Sequence, residues 1–391
     1  MQRDLDALDA YLHESGMDGY LIDAPGTVAD QWYLTGFGAV DPFTSLYTNG
    51  QVHLLVRGLD RGLARESSRA DSVQSSSDFN RRAKVEQFGE TKADHRVVAE
   101  FLAQHNAEAV AVPARFPLGR ADGLRALGIT VEAEDEAPIG DSRAIKTSTE
   151  IDHIRSAQRA TEAAMKRAEE LLCSADASGE ILQLEGKPLT SERIKRAIEL
   201  TLVSEGCALE DTIVAGGAQA AHPHERGSGP LRPHEPIVID IFPRDKTTRY
   251  HADMTRTFCV GAPSENARAW YDLTHDALET ALSLIQPGVT GEEVHEAVCA
   301  VFEEAGIPTT RSDEGTETGF THGTGHGVGL EVHEAPRLST NGGPLEPGHV
   351  VTVEPGLYDP DVGGIRIEDL VVVTEDGYEN LTTYEKQFQI A

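Results

Sequence analysis

An α+β fold in two parts is predicted, the first alternating helix with strand and the second internally duplicated. Three observations point there. At 391 residues the chain exceeds one average domain and suits two. Apolar spacing switches between helical and strand periods through residues 1–142. From 143 to 391, a pattern of two helices followed by strands is run through twice.

Leu5, Leu8, Tyr11 and Leu12 recur at helical spacing, and Gly16 is placed to stop that helix. Ser45–Thr48 and Gln51–Val56 read as strands, and Asn49-Gly50 between them predicts a tight primed turn. A strand at 109–113, a helix at 118–127 and a strand at 129–132 complete the first part. Residues 132–142 are acidic and hold Pro138 and Gly140, which places the domain boundary there. Thr147-Ser-Thr-Glu150 is a capping box, in which each side chain satisfies an orphan backbone donor. It opens a helix with Ile151, Ile154, Ala157, Ala164, Met165, Ala168, Leu171 and Leu172 on roughly one face. A helix at 191–205 and strands at 211–215, 236–242 and 251–260 follow. The second round has helices at 265–286 and 290–305, then strands near 350–356 and 364–374.

Composition narrows the function. The hydrophobic fraction of 39% is enough to build cores. No run of about 18 apolar residues is present, so no membrane-spanning helix is expected. The start of the chain is acidic and lacks the apolar core of a secretory signal. Cys173, Cys207, Cys259 and Cys299 are scattered, with no CxxC pair, which points to a reducing cytoplasm. A net charge of −31 disfavours a nucleic-acid partner. Only 8 of the 34 basic residues are Lys, and acid is spread along the whole chain. That suggests a surface suited to high salt, where screening removes self-repulsion. Unfolding across a salt series tests this hypothesis: stability should rise toward molar salt, and equal stability at low salt would refute it.

Four acids stand in matched contexts. Asp240 interrupts the apolar Ile237-Val-Ile run, and Asp253 follows thirteen positions on. Glu354 ends Val350-Val-Thr-Val, and Glu368 follows fourteen positions on. Asp240 to Glu354 spans 114 positions and Asp253 to Glu368 spans 115. Near-equal offsets fit four carboxylates meeting at a pseudo-twofold axis. An acid in a strand is by itself more often a solvated or arginine-paired group. Four converging carboxylates, however, could not all ionise without cations among them. An imidazole would come from His322-Gly-Thr-Gly-His326-Gly-Val-Gly-Leu-Glu-Val-His333, where closely spaced glycines suggest close backbone approach. A lone histidine or a glycine-rich stretch means little; together with the acids, this one indicates a site. Oxygen-rich ligation with one imidazole suits divalent manganese, iron, cobalt or zinc.

These residues resemble the pita-bread metallopeptidases: prolidase, aminopeptidase P and relatives including creatinase and methionine aminopeptidase. Asp253-Met-Thr-Arg-Thr257, Gly325-His-Gly-Val-Gly329 with the trailing His333-Glu-Ala-Pro336, Glu354-Pro-Gly356 and Arg366-Ile-Glu-Asp369 carry the resemblance jointly. Tyr33-Leu-Thr-Gly-Phe37 is similar to a creatinase-type N-terminal domain, and Arg143-Ala-Ile-Lys146 to the entry of the catalytic domain. The resemblance implies a creatinase-type domain over 1–142 and a pita-bread catalytic domain over 143–391. It implies five metal ligands, Asp240, Asp253, His326, Glu354 and Glu368, holding two divalent ions, manganese foremost with cobalt, zinc or iron as others. It further implies catalytic roles for His224, His322, His333 and Arg366, with Glu354 accepting a proton. The activity implied is hydrolysis of the N-terminal bond of short peptides, Xaa-Pro in particular, by a cytoplasmic homodimer. A methionine aminopeptidase-like or other non-proline peptidase and a non-catalytic binding relative are the alternatives. The chain departs from the pattern at Gln219, often Asn in relatives, and in the wider spacing of Asp240 from Asp253. His222, His234 and His251 are read as structural or exposed.

Overall fold

A computed structural model describes residues 5–391; Met1–Asp4, the first part of the acidic start, lie outside the described residues. The chain forms two compact units, Met1–Arg143 and Ala144–Ala391.

The first unit is built on a six-stranded mixed sheet. Its spatial order is Ser72–Ser75, Gln51–Val56, Phe43–Thr48, Gly19–Ala24, Ala109–Val112 and Thr130–Ala133. The Asn49-Gly50 turn forms as its chemistry requires: both residues have positive φ, 51° and 74°, and Thr48 pairs with Gln51. Gly16 takes the left-handed conformation that ends the Asp6–Ser15 helix. The helix Glu90–Gln104 packs Val97, Val98, Phe101 and Leu102 against Leu21, Leu46 and Val110 of the sheet. The 132–142 segment is more ordered than its composition suggests, because Pro138 opens a short helix, Pro138–Ala144. Proline suits a first helical turn, where its missing N–H would have had no partner.

In the second unit, two helix pairs back two sheets. Ser148–Cys173 packs on Ser191–Ser204, and Glu265–Leu284 on Gly291–Glu304. Each helix begins at a hydroxyl cap: Thr147, Thr190, Ser264 and Thr290. At Thr147 the capping box closes, with Glu150 N–H donating to Thr147 Oγ1 at 3.4 Å and Thr147 N–H to Glu150 Oε2 at 2.8 Å. One sheet orders Thr212–Gly216, Ile237–Ile241, Met254–Val260 and Gln389–Ile390. The other orders Glu334–Leu338, Gly325–Gly327, Val350–Val353, Asp369–Thr374 and Gly377–Asn380.

The strand expected at 251–260 begins only at Met254, and two other expected strands divide. The 350–356 run breaks after Val353, where Pro355 has no N–H for a ladder, and a separate strand, Gly356–Asp359, follows. The 364–374 run divides into Gly363–Arg366 and Asp369–Thr374, leaving Ile367 and Glu368 in the break. The long link between Asp240 and Asp253 folds into a turn. There Asp245 Oδ1 accepts the N–H groups of Thr247 at 2.8 Å and Thr248 at 2.6 Å. All four cysteines are free thiols. Among the described residues, no helix is long and apolar enough to cross a membrane.

Candidate metal centre

Strand register brings the four acids onto shared faces. Asp240 pairs with Thr255, and Asp253 lies two positions before Thr255, just ahead of the Met254–Val260 strand, where continuing the alternation sets it on the same side as Asp240. Val353 pairs with Asp369, and continuing that register sets Glu354 opposite Glu368. Both offsets are even, and only an even offset keeps side chains on one face.

His326 reaches the acids from the middle of the Gly325–Gly327 strand. A Cβ on Gly325 would meet Thr352 O at 2.0 Å, and one on Gly327 would meet Ala335 O at 2.1 Å. Glycine on both sides therefore lets this strand sit between its neighbours. Asp253, His326 and Glu368 each offer one ligand atom, all within 4.8 Å of one another. His326 Nε2 is 3.5 Å from Glu354 Oε1 and 3.7 Å from Asp253 Oδ2. Arg366 Nη2 donates to Asp240 Oδ2 at 2.7 Å, and Arg366 Nε is 4.0 Å from Glu354 Oε2.

The electrostatics of this cluster call for cations. Four carboxylates share the space with one guanidinium. Burial, then Glu368, Asp240 and Glu354, holds the Asp253 carboxyl well above its usual range. Glu368 is displaced likewise by burial and by Glu354 and Asp240, and burial pushes Glu354 up to about 7. Asp240 Oδ1 is buried with no hydrogen-bond partner among the described residues. Burial, reinforced by His333, brings His326 down to about 3, so its ring is neutral. Gly327 O accepts from His326 Nδ1 at 3.2 Å, so the proton is on Nδ1 and Nε2 presents a lone pair to the carboxylates. A lone pair facing two carboxylates is unfavourable unless a cation lies among them, and a backbone carbonyl on the other ring nitrogen is the usual support of a metal-ligating histidine. The donor set fits divalent metal.

These groups line a cavity of about 520 Å³. A family model, Metallopeptidase family M24, matches residues 152–375. The chain belongs to metallopeptidase family M24. A second model, Creatinase/Prolidase N-terminal domain, matches residues 5–156. A Xaa-Pro dipeptidase of Pyrococcus furiosus is 28% identical, with 99% of each chain covered. The prolidase of Pyrococcus horikoshii superposes with a TM-score of 0.79 at 26% identity, covering 98% of this chain and 99% of its own. An X-Pro aminopeptidase from Thermotoga maritima gives 0.78 at 27% identity, covering 96% and 98%.

In this M24 chain the remaining sequence-predicted residues are also gathered at the cavity. His224, His322, His333 and Arg366 all line it. His224 and His333 are exposed, and the His333 ring stands edge-on to His326 with centroids 4.3 Å apart. His322 is different, because both its ring nitrogens are engaged. Nδ1 donates to Gly323 O at 2.7 Å, so the neutral ring accepts the Tyr358 hydroxyl on Nε2 at 2.8 Å. Burial, then Arg366, brings its pKa down to about 3. Tyr358 in turn accepts from Arg366 Nη1 at 3.0 Å. His322 and Tyr358 thus brace the arginine. His222 and His234 are exposed, and His251 is half-buried, brought down to about 4 mainly by burial.

Three residues of the site escaped sequence reasoning. Thr255 Oγ1 donates to Glu368 Oε2 at 2.8 Å and accepts from Arg366 Nε at 3.1 Å, joining the two halves of the repeat. Its signal in the sequence is the Asp-x-Thr-Arg-Thr run, in which nothing marks this threonine for a role. Tyr358 had no signal beyond standing four positions after Glu354. Arg337 lines the cavity wall on the strand that pairs with His326.

Proposed function

We propose that this chain is a dinuclear-metal exopeptidase that hydrolyses Xaa-Pro bonds of short peptides, dipeptides above all. One observation carries the reading. Asp240, Asp253, His326, Glu354 and Glu368 all line one small cavity, which the guanidinium of Arg337 lines as well. Those five side chains would hold the two ions. When bound, divalent metal supplies Lewis acidity and a water that ionises near neutral pH.

The chain's own residues supply the rest. The acidic wall attracts a substrate α-amine, and Arg337, for which no carboxylate partner occurs among the described residues, takes the C-terminal carboxylate. A cavity of about 520 Å³ lined by both carboxylates and the Arg337 guanidinium favours two residues over a long peptide. Proline nitrogen has no hydrogen to donate, so recognition of the imide rests on ring shape against Ile213, Phe242 and Val332. Glu354 accepts the proton of the attacking water and passes it toward the leaving nitrogen. His333 and His224 donate to the oxygen that gains charge at the scissile carbonyl. Arg366 holds Asp240 and Glu354 in place, and Tyr358 with His322 holds Arg366.

The purified chain, loaded in turn with Mn²⁺, Co²⁺ and Zn²⁺, should cleave Gly-Pro faster than Gly-Pro-Gly and far faster than Gly-Leu. His224→Ala should keep its metal and lose about a hundredfold in kcat. Equal rates on Gly-Leu would replace the proline reading with a general dipeptidase. Absence of hydrolysis with every metal would sink the peptidase assignment.

A further inference from the structure

One member of the Asp-x-Thr-Arg-Thr run, Arg256, has no part in the chemistry above, yet it is the largest fully buried side chain among the described residues. Its guanidinium reaches five acceptors. Nη1 donates to the backbone carbonyls of Thr255 at 2.9 Å and Glu368 at 2.5 Å. Nη2 donates to Asp369 Oδ1 at 2.8 Å and Tyr384 O at 2.7 Å, and Nε to Glu385 O at 3.2 Å. Asp369 is fully buried, and its second oxygen accepts from Asn380 Nδ2 at 2.7 Å and pairs with Lys386 Nζ at 2.7 Å. Two cations thus enclose one carboxylate, leaving net positive charge immediately behind Glu368.

We propose that Arg256, Asp369 and Lys386 are positioning residues that set how tightly metal is held at Glu368. This rests on the reading of Glu368 as a ligand. Glu368 sits in a break between strands, where ladder bonds do not hold it. Its backbone is fixed instead by its own N–H to Thr255 O at 3.1 Å and by Arg256 on its carbonyl. Its carboxylate is fixed by Thr255 Oγ1. Arg256 grips both residues, so its orientation sets theirs, and Asp369 fixes the orientation of Arg256. Lys386 closes the arrangement from the C-terminal run, which is anchored by Cys259 N–H donating to Phe388 O at 2.7 Å.

Mn²⁺ titration calorimetry on the full chain tests this, alongside thermal unfolding of the metal-free forms. Asp369→Asn keeps the shape of the side chain and should weaken Mn²⁺ binding about 10- to 100-fold. Lys386→Met, at a position where the side chain keeps 19% exposure, should weaken it in the same direction, with Lys386→Arg restoring the wild-type constant. A merely architectural role would lower the melting temperature of the metal-free variants and leave the Mn²⁺ constant unmoved; that result overturns the proposal. If Asp369→Asn does not fold, Lys386→Met and Lys386→Arg decide. A wild-type chain that takes up no Mn²⁺ overturns the ligand reading beneath it instead.

Discussion

Replacing Glu354 with glutamine or alanine is expected to lower kcat by at least about a thousandfold, on the order of 4 kcal/mol of barrier. Its position gives the reason. Glu354 follows the Val350–Val353 strand, with one oxygen 3.5 Å from His326 Nε2 and the other 4.0 Å from Arg366 Nε. Its side chain keeps 18% exposure, whereas that of Asp253 keeps 7%. It is therefore a carboxylate that can both face metal and meet water in the cavity. Glu354→Gln preserves the shape and removes the charge, so it separates proton transfer from packing. The check is kcat on Gly-Pro together with metal content by elemental analysis. A glutamine variant that binds full metal and turns over near the wild-type rate would take the proton-acceptor role away from Glu354.

The metal-free protein is expected to lose stability as pH rises from about 6 to 8, by on the order of 3 kcal/mol, and added metal should remove that slope. Glu354 is pushed up to about 7, and Asp253 and Glu368 are displaced upward as well. A folded-state carboxyl pKa above its unfolded value means that the folded chain binds more protons across the interval. Its contribution is fully present below the unfolded carboxylate pKa and is lost as pH climbs through the folded value. Histidines act in the opposite sense on the acid side. His322 and His326, both brought down to about 3 mainly by burial, stay neutral when folded and gain a proton on unfolding. Their contribution falls away as pH drops below the ordinary histidine value. The metal-free chain should thus be most stable near pH 6. Bound metal keeps the carboxylates ionised at no cost to the fold and moves the optimum upward. Thermal melts at constant high ionic strength, with chelator and with Mn²⁺, give the comparison. A flat metal-free profile between pH 6 and 8 would mean the four acids do not burden one another.

Much of the architecture was legible because it is locally encoded. The Asn49-Gly50 turn, the Gly16 stop and the capping box at Thr147 depend on residues a few positions apart, and each formed. Differences gathered at prolines and at the acids that face the cavity. The 350–356 and 364–374 runs are apolar enough to read as continuous strands, yet both break at the acid that turns toward the cavity. Residues 132–142 look like a linker by composition, yet carry the start of a helix at Pro138.

Residue types, spacing and near-equal offsets, none of which needs coordinates, singled out four acids as candidate metal donors together with the duplication that relates them; the fifth candidate, His326, was implied by the resemblance. A buried acid in an apolar strand is costly, and that cost is visible in a linear pattern. Only the folded chain decided what supports those donors. Thr255 meets Glu368 across 113 positions, Arg366 meets Asp240 across 126, and Arg256 meets Asp369 across 113. A threonine or an arginine carries no mark of such a contact in sequence, because its hydrogen bonds are satisfied equally well by water until packing removes that choice.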